Sequence, residues 1–230
     1  MIDYNKIKWY LKNIDMIKFI KYNFFSNIVV RDKSYYLRPY KNAVLDLHPE
    51  ARIYIKGKHI DIGINKLKGS KAETYLRMGK GAIWYANNGC SMYYNSILEI
   101  KNDAVFTSGF FTENTGSAIV CTTGITLGDN VMMGRNILIY DSDFHSIVNK
   151  KGIPRNPNRE VFIDDNVWLT SNISVLKGVH IEKGSIISSN TSVTTNIPEA
   201  SIASGKSQAS VIFSGVQWSR KYPGKKVDRR

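Results

Sequence analysis

A histidine close to two carboxylates is the feature of this sequence best suited to chemistry. The segment DSDFH contains Asp141, Asp143 and His145. An imidazole with a pKa near its ordinary value of about 6.5 can accept a proton at physiological pH. A carboxylate on the other ring nitrogen would fix the tautomer and stabilise the imidazolium that forms. The pattern therefore favours a general base, and its alternative is a polar turn without chemistry.

The scaffold that must position this segment has a period of six residues. Between 161 and 197 one position in each six is aliphatic, and the position four residues later is apolar or small. The first series is Ile163, Leu169, Val175, Ile181, Ile187 and Val193; the second is Val167, Ile173, Val179, Ser185, Thr191 and Ile197. This period fits neither an amphipathic helix nor an alternating strand. It is typical of a β-helix of hexapeptide repeats, in which each unit forms one flat side of a coil.

The remainder of the chain divides around this scaffold. Alternation of apolar and polar residues begins at Asp46, and the register breaks at 143–161, a polar segment rich in Pro and Asn. We predict that this segment is a loop ejected from the scaffold, where functional sites are common. The sequence thus predicts a helical segment over 1–45, an all-β domain over 46–213 and a basic tail over 214–230.

Residues 2–25 are expected to form an amphipathic helix or a pair of helices. The apolar face comprises Ile7, Tyr10, Leu11, Ile14 and Ile17, with Lys8, Lys12 and Asp15 opposite. One use of such a segment is to cover the first coil, whose strand edges are otherwise unpaired. The other is to lie on a membrane surface with its lysines toward the headgroups. The two uses are compatible.

Positive charge is concentrated at the two ends of the chain. The net charge is +13, with 12 Lys and Arg against 5 Asp and Glu over 1–58 and 6 against 1 over 217–230. Basic ends suit membrane headgroups or an acidic or pyrophosphate-linked substrate, and the simpler alternative is a solvated lysine-rich surface. Aromatic residues also interleave with the lysines of the tail, but no other feature supports a nucleic-acid partner.

The composition also argues against several classes of protein. Cys90 and Cys121 are the only cysteines, so neither a disulfide framework nor a Cys-rich zinc site is indicated, and we expect Cys121 to face the core. Lysines interrupt the N-terminal segment every few residues, so we expect neither a signal peptide nor a membrane-spanning helix. The predicted location is the cytoplasm, with peripheral contact at the inner face of the plasma membrane as an extension.

Four motifs make the chain resemble the hexapeptide-repeat acyltransferases, and among them the O-acetyltransferases of capsule, lipopolysaccharide and exopolysaccharide synthesis. The motifs are ITLGDNVMMG, DSDFHSI, VFIDDNVWLTSN and SVTTNIP, and the resemblance is strong over about 119–200. It implies a left-handed parallel β-helix and a homotrimer with active sites between subunits. It also implies acetyl-CoA as the acyl donor, no metal, and a sugar hydroxyl of a surface polysaccharide or its precursor as the acceptor.

The same resemblance implies roles for individual residues. His145 occupies the position of the catalytic histidine, with Asp143 or Asp141 as its orienting partner or as a ligand of the acceptor. Trp168 would line the acceptor side of the cleft. On the donor side the matched residues are Ser171, whose N–H approaches the thioester oxygen, Ser189 near the pantetheine arm, Thr194 near the CoA end, and Lys206 at a phosphate. The sequence departs from the family pattern at Thr170, where glycine is usual, and at Ser207, where proline is usual.

Three alternatives to this interpretation belong to other classes of protein or acceptor. A zinc enzyme of the same fold, the γ-type carbonic anhydrase, needs three converging imidazoles, and the four histidines show no such spacing. A structural β-helix without catalysis has no need of an ejected loop with DSDFH. The amino group of a nucleotide-linked amino sugar is an alternative acceptor to a hydroxyl.

Overall fold

Residues 4–32, 34–205 and 217–219 are described by a computed structural model. Most of them form a left-handed parallel β-helix in which each coil contributes one strand to each of three sheets. The fold predicted from the six-residue period is therefore confirmed. We call the turn between the first and second sheets the first corner, the next one the second corner, and the turn back to the first sheet the third corner.

The strands are numbered β1 to β24 in chain order. The first sheet contains β1 (Val29–Arg31), β4 (Arg52–Ile55), β7 (Ile83–Ala86), β10 (Val105–Ser108), β13 (Gly124–Leu127), β17 (Val161–Ile163) and β20 (His180–Ile181). The second contains β2 (Leu37–Pro39), β5 (Ile60–Ile64), β8 (Cys90–Tyr93), β11 (Phe111–Glu113), β14 (Val131–Met133), β18 (Trp168–Leu169), β21 (Ile186–Ile187) and β23 (Ile202–Ala203). The third contains β3 (Ala43–Leu47), β6 (Thr74–Met78), β9 (Ile97–Ile100), β12 (Ala118–Cys121), β15 (Ile137–Tyr140), β19 (Ile173–Val175) and β22 (Ser192–Val193). Outside the coils, β16 (Ser146–Val148) pairs antiparallel with β24 (Gln217–Ser219).

The core consists of inward side chains stacked in register from coil to coil. In the first sheet one such column is Ile53, Trp84, Phe106, Ile125 and Val161, all buried. Burial of each large side chain contributes roughly 1.5–3 kcal/mol, and in a solenoid these contributions accumulate along the stack. The buried apolar core therefore lies in the coils and not in the ejected loop.

Asparagines with positive φ form a ladder at the second corner. Asn136, Asn172 and Asn190 have φ values of 57°, 54° and 59°. Asn136 donates its amide N–H to Asn172 Oδ1 (2.9 Å), and Asn172 donates to Asn190 Oδ1 (3.2 Å). Asparagine tolerates this left-handed conformation better than other side chains do. These asparagines therefore mark successive corners of the coil.

The first coil begins at Val29, before Asp46, where alternation becomes visible in the sequence. Its inward residues Val29 and Leu37 are both buried, but eight positions separate them instead of six. A longer first corner therefore disguises the repeat in this coil.

Two short helices and a π-helical turn cover the first coil. These are α1 (Tyr4–Asn13), α2 (Met16–Ile20) and the π-helical turn Lys21–Phe25, and we call residues 4–25 the cap. Asn23 accepts the backbone N–H of Leu37 (3.0 Å) and donates to its carbonyl (2.7 Å), which ties the cap to β2. No helix within the described residues has the length and apolar character needed to cross a membrane.

The cap packs through a different face from the one that the sequence periodicity indicates. Ile14, Phe19 and Tyr22 are buried, whereas Leu11 and Ile17, expected on the same face as Ile14, are exposed. The cause is a break in the helix: α1 ends at Asn13, and Asp15 begins α2 by accepting the N–H of Lys18 (3.1 Å). A single helical period therefore does not continue from Leu11 to Ile17.

Candidate active site

The ejected loop begins at the third corner, directly after β15, with a strained turn. The backbone N–H of His145 donates to the carbonyl of Asp143 (2.7 Å), and Phe144 between them has φ 59°. This is a γ-turn of the rare kind with a positive φ, a conformation that costs on the order of 1–3 kcal/mol for a residue other than glycine. It persists because the N–H of Phe144 donates to Ser142 Oγ (2.9 Å) and its ring packs edge-on against Tyr140 (5.3 Å). The turn presents His145 as an exposed residue.

Asp143 and the backbone around His145 are held by two residues that the sequence analysis did not identify. Asp143 Oδ2 accepts hydrogen bonds from Lys177 Nζ (2.6 Å) and Asn156 Nδ2 (2.7 Å). Asn156, 8% exposed, also donates to the carbonyl of His145 (2.8 Å) and accepts the N–H of Ile147 (2.6 Å). The Asn156 side chain thus connects the later part of the loop with the segment around His145. The β15–β19 register places Lys177 beside the start of the loop, one coil further on.

Asp141 lies inside the protein at the root of the loop. Its carboxylate is fully buried and accepts three backbone N–H groups, from Thr122 (2.8 Å), Thr123 (2.6 Å) and Gly124 (2.8 Å). Burial raises the pKa of this carboxyl, and the hydrogen bonds from Thr123, Thr122 and Gly124 oppose that shift. These three hydrogen bonds give Asp141 a bracing role at the root of the loop, and its expected contact with the acceptor stays a prediction.

The acceptor and donor residues expected from the sequence lie on other parts of the coil. Trp168 is partly exposed on the second sheet, the face of the prism opposite the third corner from which the His145 loop leaves. Ser171 and Ser189 follow β18 and β21 and occupy the second corner on successive coils. One chain therefore does not bring His145 and Trp168 together. Thr194, exposed, lies at the third corner after β22, and Lys206 lies outside the described residues.

The second corner is closely packed around Thr170. A Cβ at Gly134 would lie only 1.5 Å from the carbonyl oxygen of Thr170, so this position in the coil before it requires glycine. Thr170 Oγ1 donates to the carbonyl of Ile187 (2.8 Å) and contacts Ser189 Oγ (3.0 Å), while Ser171 Oγ donates to the carbonyl of Thr170 (2.7 Å). The threonine that replaces the usual glycine is thus accommodated by hydrogen bonds to the next coil.

Other groups with reactive side chains are engaged in the scaffold. Cys121 is fully buried, as expected, and burial raises the pKa of its thiol, which disfavours the nucleophilic thiolate. His180 contacts Asp164 through Nε2 (2.9 Å) on the surface of the first sheet. Within 4–32, 34–205 and 217–219 there is no cluster of three or more His, Cys, Asp or Glu side chains that could hold a metal ion.

Curated proteins that are similar to this chain in sequence are named as acetyltransferases. The chain is 36% identical to a galactoside O-acetyltransferase of Lactococcus lactis over 103 residues, 44% of this chain and 48% of that protein. It is 32% identical to a putative acetyltransferase of Schizosaccharomyces pombe over 124 residues, 48% of this chain and 57% of that protein. The chain thus matches about half the length of these curated relatives. No family model matches the chain.

Comparison with solved structures agrees on the fold. The polysialic acid O-acetyltransferase OatWY superposes with a TM-score of 0.50 at 18% identity, covering 81% of this chain and 89% of that one. The identity is low, so this likeness concerns the fold alone. Together with the sequence matches, it confirms the resemblance inferred from the motifs: the chain is similar to the hexapeptide-repeat acetyltransferases.

Proposed function

We propose that this protein is an acetyl-CoA-dependent O-acetyltransferase that acts on a sugar hydroxyl of a surface polysaccharide or its precursor. The observation that carries the proposal is the strained turn over Asp143–His145. Strain in the backbone is retained where the surrounding structure enforces it, and it is frequent at active sites. Here the turn holds an exposed imidazole at the start of an ejected loop, on a scaffold similar to that of named acetyltransferases.

The chemistry assigned to His145 is proton transfer in a direct displacement. Its neutral imidazole removes the proton of the sugar hydroxyl as the oxygen attacks the thioester carbonyl. The C–S bond then breaks, and the imidazolium returns the proton to the departing CoA thiolate. The backbone N–H of Ser171 is the proposed donor to the oxyanion of the tetrahedral intermediate. No covalent intermediate on the enzyme is required, in keeping with the burial of Cys121.

The proposed active site requires more than one copy of the chain. His145 leaves the third corner, whereas Trp168 and Ser171 lie on the second sheet and the second corner. A homotrimer would place the loop of one copy against the second sheet of the next copy, forming one cleft at each of three equivalent interfaces. Ser189, Thr194 and Lys206 are proposed to contact the CoA in that cleft.

The proposed location is the cytoplasm, where acetyl-CoA is available. An acidic or lipid-linked glycan is the proposed form of the acceptor, because positive charge is concentrated at the ends of the chain. A peripheral position at a membrane would suit a lipid-linked acceptor.

Release of free CoA thiol in the presence of acetyl-CoA and a panel of sugar acceptors tests the proposal. We expect release with a hydroxyl acceptor, a product ester that mild alkali removes, and a light-scattering mass three times 26.1 kDa. An alkali-stable product formed only on amino sugars would replace this proposal with N-acetylation. If acetyl-CoA neither reacts nor raises the melting temperature, the proposal is wrong and a structural β-helix is favoured.

A further inference from the structure

The cap exposes large apolar side chains, although two of them also contact the first coil: Phe24 lies against Tyr36 and Trp9 against Tyr40. Leu11 is 58% exposed, Phe24 57%, and Ile17 and Phe25 each 82%. Ile7, Trp9 and Ile20 are also exposed, in the same part of the chain. Scattered exposed apolar residues are ordinary, but seven within nineteen consecutive residues are a concentration that calls for a partner.

The helical elements that carry these side chains are anchored to the scaffold by other, buried residues. Ile17, Ile20 and Phe24 are spaced along one side of α2 and the π-helical turn, as helical geometry requires. The intervening Phe19 and Tyr22 are buried against the scaffold. The apolar surface is therefore fixed by the fold and does not need a partner to form it.

Positive charge surrounds the apolar side chains. The cap contains five lysines against a single acidic residue, Asp15, whose carboxylate pairs with Lys18 (2.9 Å). The guanidinium of Arg31 lies 5.0 Å from the ring centre of Phe24. Lys8 and Lys12 are exposed on α1, one turn apart. Apolar and aromatic side chains among lysines and arginines are the chemistry of a helix that lies in the interface of an anionic bilayer.

We propose that the cap is a docking surface for an anionic lipid bilayer, with Leu11, Ile17, Phe24 and Phe25 inserted among the acyl chains and the cations at the headgroups. Charge decides between this occupant and two others. A second copy of a chain of net charge +13 would bring lysine-rich caps together, and the C-terminal tail is itself basic. Contact of the cap with a second copy or with the tail is electrostatically unfavourable because the charges are alike, whereas anionic headgroups are complementary in charge.

Flotation of the full chain with vesicles tests the proposal. We use phosphatidylcholine alone and phosphatidylcholine mixed with anionic phosphatidylglycerol, and expect flotation with the mixed vesicles that decreases as salt is raised. The double variant Ile17→Ser/Phe25→Ser should bind the mixed vesicles about tenfold more weakly or worse, because two large apolar side chains no longer insert. The matched control is Leu67→Ser/Ile202→Ser, which removes two exposed apolar side chains outside the cap.

A variant that removes lysine charges tests the electrostatic contribution separately from that of the apolar side chains. Lys8→Gln/Lys12→Gln/Lys21→Gln should lose the preference for anionic over neutral vesicles. Melting temperatures establish that each variant folds, and transfer to an uncharged soluble acceptor should be unchanged, so this proposal and the proposed function fail independently.

Several results would overturn the proposal. The first is absence of flotation with the mixed vesicles, and the second is equal weakening in the Leu67/Ile202 control. A fall in the light-scattering mass of Ile17→Ser/Phe25→Ser would assign the surface to a second copy. Loss of binding only when residues 206–230 are deleted would assign the membrane contact to the tail.

Discussion

The ammonium of Lys177 lies 2.6 Å from the carboxylate of Asp143, although 34 residues separate them in the sequence. The pair links the strained turn to the next coil, and the side chain of Lys177 is only 11% exposed. Lys177 also donates to the carbonyl of Asn156 (3.0 Å), so one amine contacts both branches of the ejected loop. We infer that these contacts with the next coil position His145.

Removal of the Lys177 amine should therefore impair the reaction more than the fold. In Lys177→Met we expect kcat to fall about tenfold, because the turn loses a charged hydrogen bond, while KM for acetyl-CoA and the melting temperature change little. Steady-state kinetics with acetyl-CoA varied at fixed acceptor measures both constants. Lys183→Met, at an exposed first-corner lysine, is the control. An unchanged kcat in Lys177→Met would show that the pair does not position His145.

Replacement of His145 should abolish most of the transfer. A general base contributes about 10²- to 10⁴-fold to the rate, so His145→Ala should lose that factor in kcat and keep its mass, its melting temperature and its affinity for acetyl-CoA. His180→Ala is the matched control, since His180 pairs with Asp164 on the surface of another sheet. Activity above about a tenth of wild type in His145→Ala would contradict the assignment of the base.

The separation of His145 and Trp168 within one chain predicts complementation between inactive variants. Co-expressed His145→Ala and Trp168→Ala subunits should form mixed trimers in which some clefts combine an intact histidine with an intact tryptophan. Each mixed trimer has one cleft of three with both residues intact, so purified mixed trimers should show about a third of the wild-type activity, since each heterologous interface takes one residue from each neighbour. Purification through two different tags isolates the mixed trimers for assay. If they are no more active than the parents, both residues act from the same chain or one of them is not needed.

A buried carboxyl in the core predicts an unusual dependence of stability on pH. Glu113 is stacked between Met92 and Met133, is fully buried, and neither of its oxygens has a hydrogen-bond partner among the described residues. Burial raises its pKa well above the usual range, because the nearby Ser96 hydroxyl donates to the Tyr93 carbonyl (2.7 Å) and not to the carboxyl. The folded state thus favours the protonated form, and its stability falls as the pH rises above the unfolded pKa of 4.5.

Glu113→Met should remove this dependence. The free energy of unfolding should rise by up to about 3 kcal/mol at neutral pH and change little at low pH, where the carboxyl is protonated in both states. Urea denaturation at about pH 5 and about pH 8 measures the difference between variant and wild type. The exposed Glu50→Gln serves as control. A variant that is less stable than wild type at both pH values would show that the carboxyl has an essential partner.

Much of the fold followed from the sequence because its cause is local and repeated. Ile163, Leu169, Val175, Ile181 and Ile187 were assigned to the interior from their spacing alone, and all are buried. The start of the first coil was missed because the corner after Val29 is longer than a six-residue repeat allows. The packed face of the cap was missed because α1 ends at Asn13 and a second helix, capped by Asp15, begins with a new helical period.

The candidate site was predictable only in part, for a different reason. The exposure of His145 could be expected from the break in the repeat. Asp141 and Asp143, two residues apart, gave no signal of their different environments, because the side chain of one is directed to the preceding coil and that of the other to the following coil. The contacts of Asn156 depend on the path of the loop, which no repeat specifies. The roles proposed for Trp168, Ser171, Ser189, Thr194 and Lys206 stay predictions.

Because the coils stack in parallel, the number of coils sets the distance between two points along the β-helix. Neighbouring strands lie about 4.8 Å apart, so the four steps from the coil of β1 to that of β13 place the root of the His145 loop about 19 Å from the end that the cap covers. Each coil contacts only its neighbours. Duplication or deletion of one complete coil between them would therefore shift the loop by a single step while leaving its hydrogen bonds unchanged. The distance between the cap and the His145 loop can thus change without any change in the contacts of the loop.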